Sequence, residues 1–184
     1  IEWSEAQTEP PAARPVRLAV TRTKDCEAPM KAAIPKECAA GERRVAGTPA
    51  TVAAMVKAGV EVAVEAAAGK DAFFPDADYE AAGAAIVSDP AELFSGADVV
   101  LKVGPPAIDG PGGRTEVAWL NSGLILICLL RAADNPDLVA KLAEAGVTSF
   151  ALEAMPRITR AQSMDVLSSM GTIAGHKAVL MAAD

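Results

Sequence analysis

Three times along this chain a residue able to cap a helix stands directly before a proline: Thr48-Pro49, Asp89-Pro90 and Asn135-Pro136. The capping oxygen accepts from an amide that the helix leaves unpaired, and proline has no amide to leave unpaired, so each dipeptide marks a helix start. Gly59, Gly83 and Gly146 each close an Ala-rich or Lys/Glu-bearing segment and stand before an apolar run. Glycine takes the left-handed conformation that ends a helix without steric cost, so these read as helix stops. Between the marks Val52, Met55 and Val56 share one helical face, as do Leu138, Val139 and Leu142. Strands are expected at 31–34, 60–65, 85–87, 99–103, 124–130 and 147–152, where β-branched content without strong polar alternation suits burial on both faces. Strand and helix alternating at this spacing specify an α/β fold. The expected architecture is an open, mostly parallel Rossmann-like or flavodoxin-like sheet with right-handed crossovers.

Composition narrows the function classes. A net charge of -7 without clustered Lys and Arg argues against nucleic acid. It leaves room for one bound dinucleotide, which helix N-termini and backbone amides can hold. Aromatic residues make up 4%, so the core is expected to be Ala, Val, Leu, Ile and Met. Cys26, Cys38 and Cys128 are odd in number and lack metal-ligand spacing, and His176 has no ligand residue near it, so reduced thiols and no metal are expected. The apolar run 124–130 is too short to cross a bilayer and no signal-peptide h-region is visible, which points to a soluble, cytoplasmic chain. Residues 1–29 carry Glu9-Pro10-Pro11, Arg14-Pro15 and Ala28-Pro29, and read as a Pro-rich, poorly ordered leader with one short β-like stretch at 16–20. Met30 reads as the natural start of an α/β domain over 30–160.

Generic motifs are scarce. No G-x-G-x-x-G follows a strand; Gly110, Gly112 and Gly113 sit among Pro105, Pro106 and Pro111 and read as a flexible surface loop. No P-loop, nucleophile elbow or histidine-bearing triad is present. One segment stands out: Pro156-Arg157-Ile158-Thr159-Arg160-Ala161-Gln162-Ser163-Met164-Asp165, between the last strand and the final helix. That is the carboxyl edge of a parallel sheet, where ligands bind. The competing reading is a solvated loop in which Ser163 caps the last helix and Asp165 complements its dipole. The final helix, expected over 161–184, carries an apolar stripe of Leu167, Met170, Ala174, Ala178 and Met181 beside small Ser168, Gly171 and Gly175. It stops without a cap or a following strand, so a continuation is expected.

Two groups of residues carry a resemblance. Ile34-Pro35-Lys36-Glu37, then Gly41 to Ala46 and Thr48-Pro49, Val64-Glu65 with Ala68-Gly69, and Val100-Leu101-Lys102-Val103 resemble the alanine dehydrogenase and transhydrogenase superfamily. The stretch 155–165, Leu167-Ser168-Ser169 and Ile173-Ala174-Gly175 resembles the transhydrogenase form. The resemblance covers 30–184 and implies the N-terminal portion of the NAD(H)-binding component of a proton-translocating nicotinamide nucleotide transhydrogenase. In that family the loop folds over the nicotinamide end of NAD(H), which implies Arg157, Ile158, Arg160, Gln162, Asp165 and Ser168 as cofactor-binding residues. Asp165 and Ser168 would hold the carboxamide, Gln162 would reach the nicotinamide ribose, and Arg157 would anchor the loop.

The resemblance also implies a second α/β domain with the glycine-rich NAD fingerprint, beyond the final helix and expected to be absent here. NADP(H) would sit on a partner domain. Further partners would be a second copy of the same subunit, giving a homodimer, and a membrane domain that makes the chain peripheral to the inner membrane with no direct insertion. Hydride transfer between two nicotinamides needs orientation and no acid, base or nucleophile, so no catalytic residue is expected beyond orientation by Gln162 and Asp165. The rival within the superfamily is alanine dehydrogenase, where the counterparts of Arg44 and Lys102 clamp the substrate carboxylate. Its histidine falls at Leu130 here, and leucine moves no proton. A third reading is a non-catalytic fragment for subunit association.

Overall fold

The computed structural model describes residues 29–183. Residues 1–28 of the expected leader, its β-like stretch and Cys26 lie outside the described residues.

Six strands form one parallel sheet: β1 (Lys31–Ile34), β2 (Glu61–Glu65), β3 (Ala85–Val87), β4 (Val99–Leu101), β5 (Ile125–Cys128) and β6 (Thr148–Ala151). Their order is β3-β2-β1-β4-β5-β6, the doubly wound Rossmann order, which decides between the two sheet types expected. The register places Ala33 opposite Ala63 on one side and Val100 on the other, so the sheet's centre is built from small and β-branched residues. Side chains alternate between faces along each strand. Ile34, Val62 and Val64 face α1 (Pro49–Lys57) and α2 (Asp76–Ala81), where Val52 and Tyr79 complete a core. Ala33, Val100, Leu126 and Cys128 face α3 (Pro90–Ser95) and α4 (Pro136–Glu144), packing with Leu93, Phe94, Leu138 and Leu142. The connection from β4 to β5 contains no α-helix. It is a Gly/Pro-rich loop with two short 3-10 turns, Pro111–Gly113 and Glu116–Trp119.

The helix punctuation is mostly as expected. Thr48 accepts from the Thr51 amide and Asp89 from the Ala91 amide, each before its proline. Gly59, Gly83 and Gly146 all have positive φ, at 86°, 91° and 70°. Asn135 departs from expectation: its side chain accepts no capping bond and instead donates to the Leu130 and Arg131 carbonyls, 3.2 and 3.0 Å away. Ser163 does not cap the last helix either. It lies in a 3-10 turn, Thr159–Met164, and α5 runs Val166–Ala183. Asp165 holds the capping position, accepting from the Leu167 and Ser168 amides at 3.1 Å each. No residue of α5 is buried, and exposed Leu167, Met170, Ile173, Val179, Leu180 and Met181 make it apolar around its circumference rather than along one stripe.

Candidate functional site at the carboxyl edge

The strand order reverses between β1 and β4, so the loops leaving their carboxyl ends diverge and open a crevice, the default ligand position in such a sheet. Here the crevice holds a buried ionic network. Lys102, one residue beyond β4, places its Nζ 3.1 Å from both carboxylate oxygens of Glu116 and 3.4 Å from Glu37 Oε2. Glu37, just after β1, also accepts from the Val103 and Gly104 amides at 2.6 and 3.3 Å, tying the ends of β1 and β4 together. Arg114 forks onto Glu65, at the end of β2, through two 2.7 Å bonds, and donates to Glu116 Oε1 through Nε at 3.0 Å. Its guanidinium lies 5.7 Å from the Trp119 ring centroid. Three carboxylates therefore meet two cations. Glu37, Glu65, Glu116 and Arg114 were not identified as site residues from sequence. Glu37 and Glu65 stand in the motifs that carry the resemblance, but nothing in one dimension pairs Glu116 with Lys102.

Beside the network lies a cavity of about 380 Å³. Its lining includes Arg44, Val45, Lys102, Leu129, Met164 and Met170. Arg44 and Lys102, far apart in sequence, thus border one space. Neither offers a free charge: Lys102 is held as described, and Arg44 forks onto Glu42. That pairing holds the Glu42 carboxyl well down, to about 2 from 4.5, despite some burial. Arg44 also donates to the Met170 sulfur, linking the loop after β1 to α5.

The segment 156–165 lies at this carboxyl edge, between β6 and α5. Ser163 and Met164 of this segment, with Val166 and Ser169 just beyond it, line the cavity; Arg157, Ile158, Arg160, Gln162, Asp165 and Ser168 are not among the lining residues. Arg157, Ile158, Arg160 and Gln162 are exposed. Asp165 and Ser168 are joined, the Ser168 hydroxyl donating to Asp165 Oδ2 at 2.6 Å. That bond, then the Ser168 and Leu167 amides, draw the Asp165 carboxyl below its ordinary value. A carboxylate offers about four acceptor positions and three are used here, so Asp165 keeps capacity for one further donor.

The remaining candidates are plainly placed. Leu130 is buried in the core and its amide donates to Glu153 Oε2 at 2.9 Å. His176 is exposed on α5. Burial, then the Glu153 charge, pushes the Cys128 thiol up to about 12. Burial, then Glu116, raises that of half-buried Cys38. Among the described residues no group of His, Cys, Asp and Glu is placed to hold a metal, and no helix is long and apolar enough to cross a membrane.

The profile of the alanine dehydrogenase/PNT N-terminal domain matches residues 33–174. The chain belongs to this family. It is 47% identical over 151 residues to an NAD(P) transhydrogenase alpha subunit of Rhodospirillum rubrum, covering 82% of this chain and 39% of that relative. It is 40% identical over 151 residues to an alanine dehydrogenase of Halomonas elongata, covering 82% of this chain and 38% of the relative. Among solved structures, the transhydrogenase from Sinorhizobium meliloti superposes with a TM-score of 0.76 at 42% identity, over 83% of this chain and 44% of that one. The chain therefore spans about two fifths of the length of these relatives.

Proposed function

We propose that this chain is the N-terminal portion of the NAD(H)-binding component of a proton-translocating transhydrogenase, and that the junction between the 156–165 segment and α5 receives the nicotinamide end of NAD(H). The observation that carries this reading is the joined Asp165–Ser168 pair at the head of α5, on the carboxyl edge of a doubly wound sheet. The acceptors fit the N–H groups of a carboxamide. Asp165 retains an acceptor position for its N–H, and the Ser168 hydroxyl oxygen can accept as well. When bound, the cofactor supplies the hydride. The chain's own residues orient and exclude water: Asp165 and Ser168 fix which ring face is presented, exposed Gln162 reaches toward the ribose, and Arg157, Ile158 and Arg160 close the segment over it. Such orientation can contribute about 7 kcal/mol or more to a bimolecular transfer.

In this reading NADP(H) sits on a partner domain. The assembly pairs two copies of this subunit with that domain and a membrane domain, at the cytoplasmic side of the inner membrane. The helix α5 leads toward a second α/β domain that holds the adenine half. The chain alone then binds NAD(H) weakly, which calorimetry would check; low-micromolar affinity would contradict it.

The alanine dehydrogenase reading is less favoured because the resemblance implies Leu130 where that reaction needs its histidine and because both cavity cations are already paired. The test is made on the complete enzyme. Gln162→Ala and Asp165→Ala are expected to cut hydride transfer from NADH to an NADP+ analogue by one to several orders of magnitude. Reduction of pyruvate with ammonia by the same preparation, with no response to NADP+ analogues, would end the proposal.

A further inference from the structure

The contact set of Glu116 is that of a bound ligand rather than of a surface carboxylate. It does not belong to the sheet: it arrives on the 3-10 turn Glu116–Trp119, from the long crossover between β4 and β5. It is fully buried. Its Oε1 receives Lys102 Nζ at 3.1 Å and Arg114 Nε at 3.0 Å. Its Oε2 lies 3.1 Å from Lys102 Nζ and receives the Ala107 amide at 2.9 Å. Two cations and a backbone amide converging on one carboxylate are the usual elements of a carboxylate-binding site. They stand at the reversal of strand order, where an open α/β sheet offers its ligand crevice. The adjoining cavity shares Lys102 and Val103 in its lining, so space reaches the crevice from one side.

We propose that Glu116 is a built-in occupant of the switch-point crevice, standing on Lys102 and Arg114 where a small carboxylate would otherwise bind. The same side chain is then what makes this crevice refuse small anions. With Glu116 in place the cluster has three carboxylates to two cations, so a further anion is repelled. Without it, Lys102 keeps only Glu37 at 3.4 Å, and that carboxylate is already engaged with two amides. An under-compensated buried ammonium is costly, and a formate-sized anion in the vacated space restores its partner. This inference is independent of the hydride-transfer reading; an enzyme that failed as a transhydrogenase would leave it intact.

The experiment compares thermal unfolding of the full chain in sodium formate and in sodium chloride at matched ionic strength. Glu116→Ala is expected to melt several degrees lower in chloride and to recover some of the loss in formate, with saturation. The wild type and Glu116→Gln, in which the space stays filled, are expected to melt alike in the two salts. Adding Lys102→Met to Glu116→Ala is expected to abolish the recovery. If Glu116→Ala does not fold in chloride, the same comparison is read as the yield of folded chain on refolding in each salt. Equal behaviour of Glu116→Ala in formate and chloride overturns the proposal, and so does recovery that survives Lys102→Met. A formate response of the wild type that Lys102→Met removes would show the crevice open, and would overturn it too.

Discussion

Arg44, which borders the cavity, forks onto Glu42, the two side chains being 43% and 16% exposed. Because the pairing lowers the Glu42 carboxyl from 4.5 to about 2, its stabilisation is complete above pH 4.5 and is lost as pH falls toward 2. Screening at the exposed guanidinium limits the effect to about 1 kcal/mol. The difference in melting temperature between the wild type and Glu42→Gln should therefore be constant above pH 5, close through this window, and vanish near pH 2. A difference that persists unchanged at low pH would assign it to packing. Tyr79 offers a second residue-scale test. Its buried hydroxyl donates to the Gly47 carbonyl at 2.8 Å, and its ring lies where a Cβ on Gly69 would approach to 2.7 Å. Tyr79→Phe leaves that carbonyl unpaired and is expected to cost about 1–2 kcal/mol in chemical denaturation. Gly69→Ala should cost more, because ring and backbone must move. Single residues were the least legible feature of the sequence. Arg44 and Lys102 could be singled out, but the carboxylates that hold them could not: the Glu116–Lys102 contact exists only because a loop folds back over the edge of the sheet.

Whole elements were far easier to read, since their signals are local. All six strands lie within the expected runs, with β1 and β3 matching end to end and the others one to three residues shorter at one or both ends. The trimming has a common cause: apolar character continues into the loops that line the core and cavity, as at Leu124, Leu129 and Leu130, after the strand pairing has ended. Caps were legible where the side chain serves its own helix, and misread where it serves a neighbour. Asn135 carries the composition of a cap but donates to two carbonyls of the preceding turn. Thr48→Ala is thus expected to cost about 1 kcal/mol, as for a working cap. Asn135→Asp discriminates between the two roles. Aspartate caps as well as asparagine, so a capping role makes the change near neutral. Aspartate cannot donate, so loss of the bonds to Leu130 and Arg131 predicts a penalty of about 1 kcal/mol or more in denaturant midpoints.

The whole molecule combines a sheet covered by helices on both faces with a helix none of whose residues is buried. The Rossmann order follows from alternating strands and helices plus one reversal, and only the point of reversal was invisible in one dimension. Helix α5 is a different case. A helix apolar all round is ordinarily enclosed by protein, yet Ile173, Val179 and Met181 are 71%, 69% and 69% exposed. Its sequence announced a stripe, which would have asked for one neighbour; its distribution of Leu, Ile, Val and Met around the circumference asks for cover on several sides. The isolated chain is therefore expected to self-associate through this helix as its concentration rises. Sedimentation velocity should show mass rising with concentration. Replacing Ile173, Val179 and Met181 together by Lys should return it to a monomer. Because α5 contributes no buried residue, that triple change should leave the melting of the α/β unit within about a degree of the wild type. A wild-type chain that sediments as a monomer throughout would remove association from the properties of this helix. A triple variant that melts much lower would mean that α5 folds back on the sheet in solution.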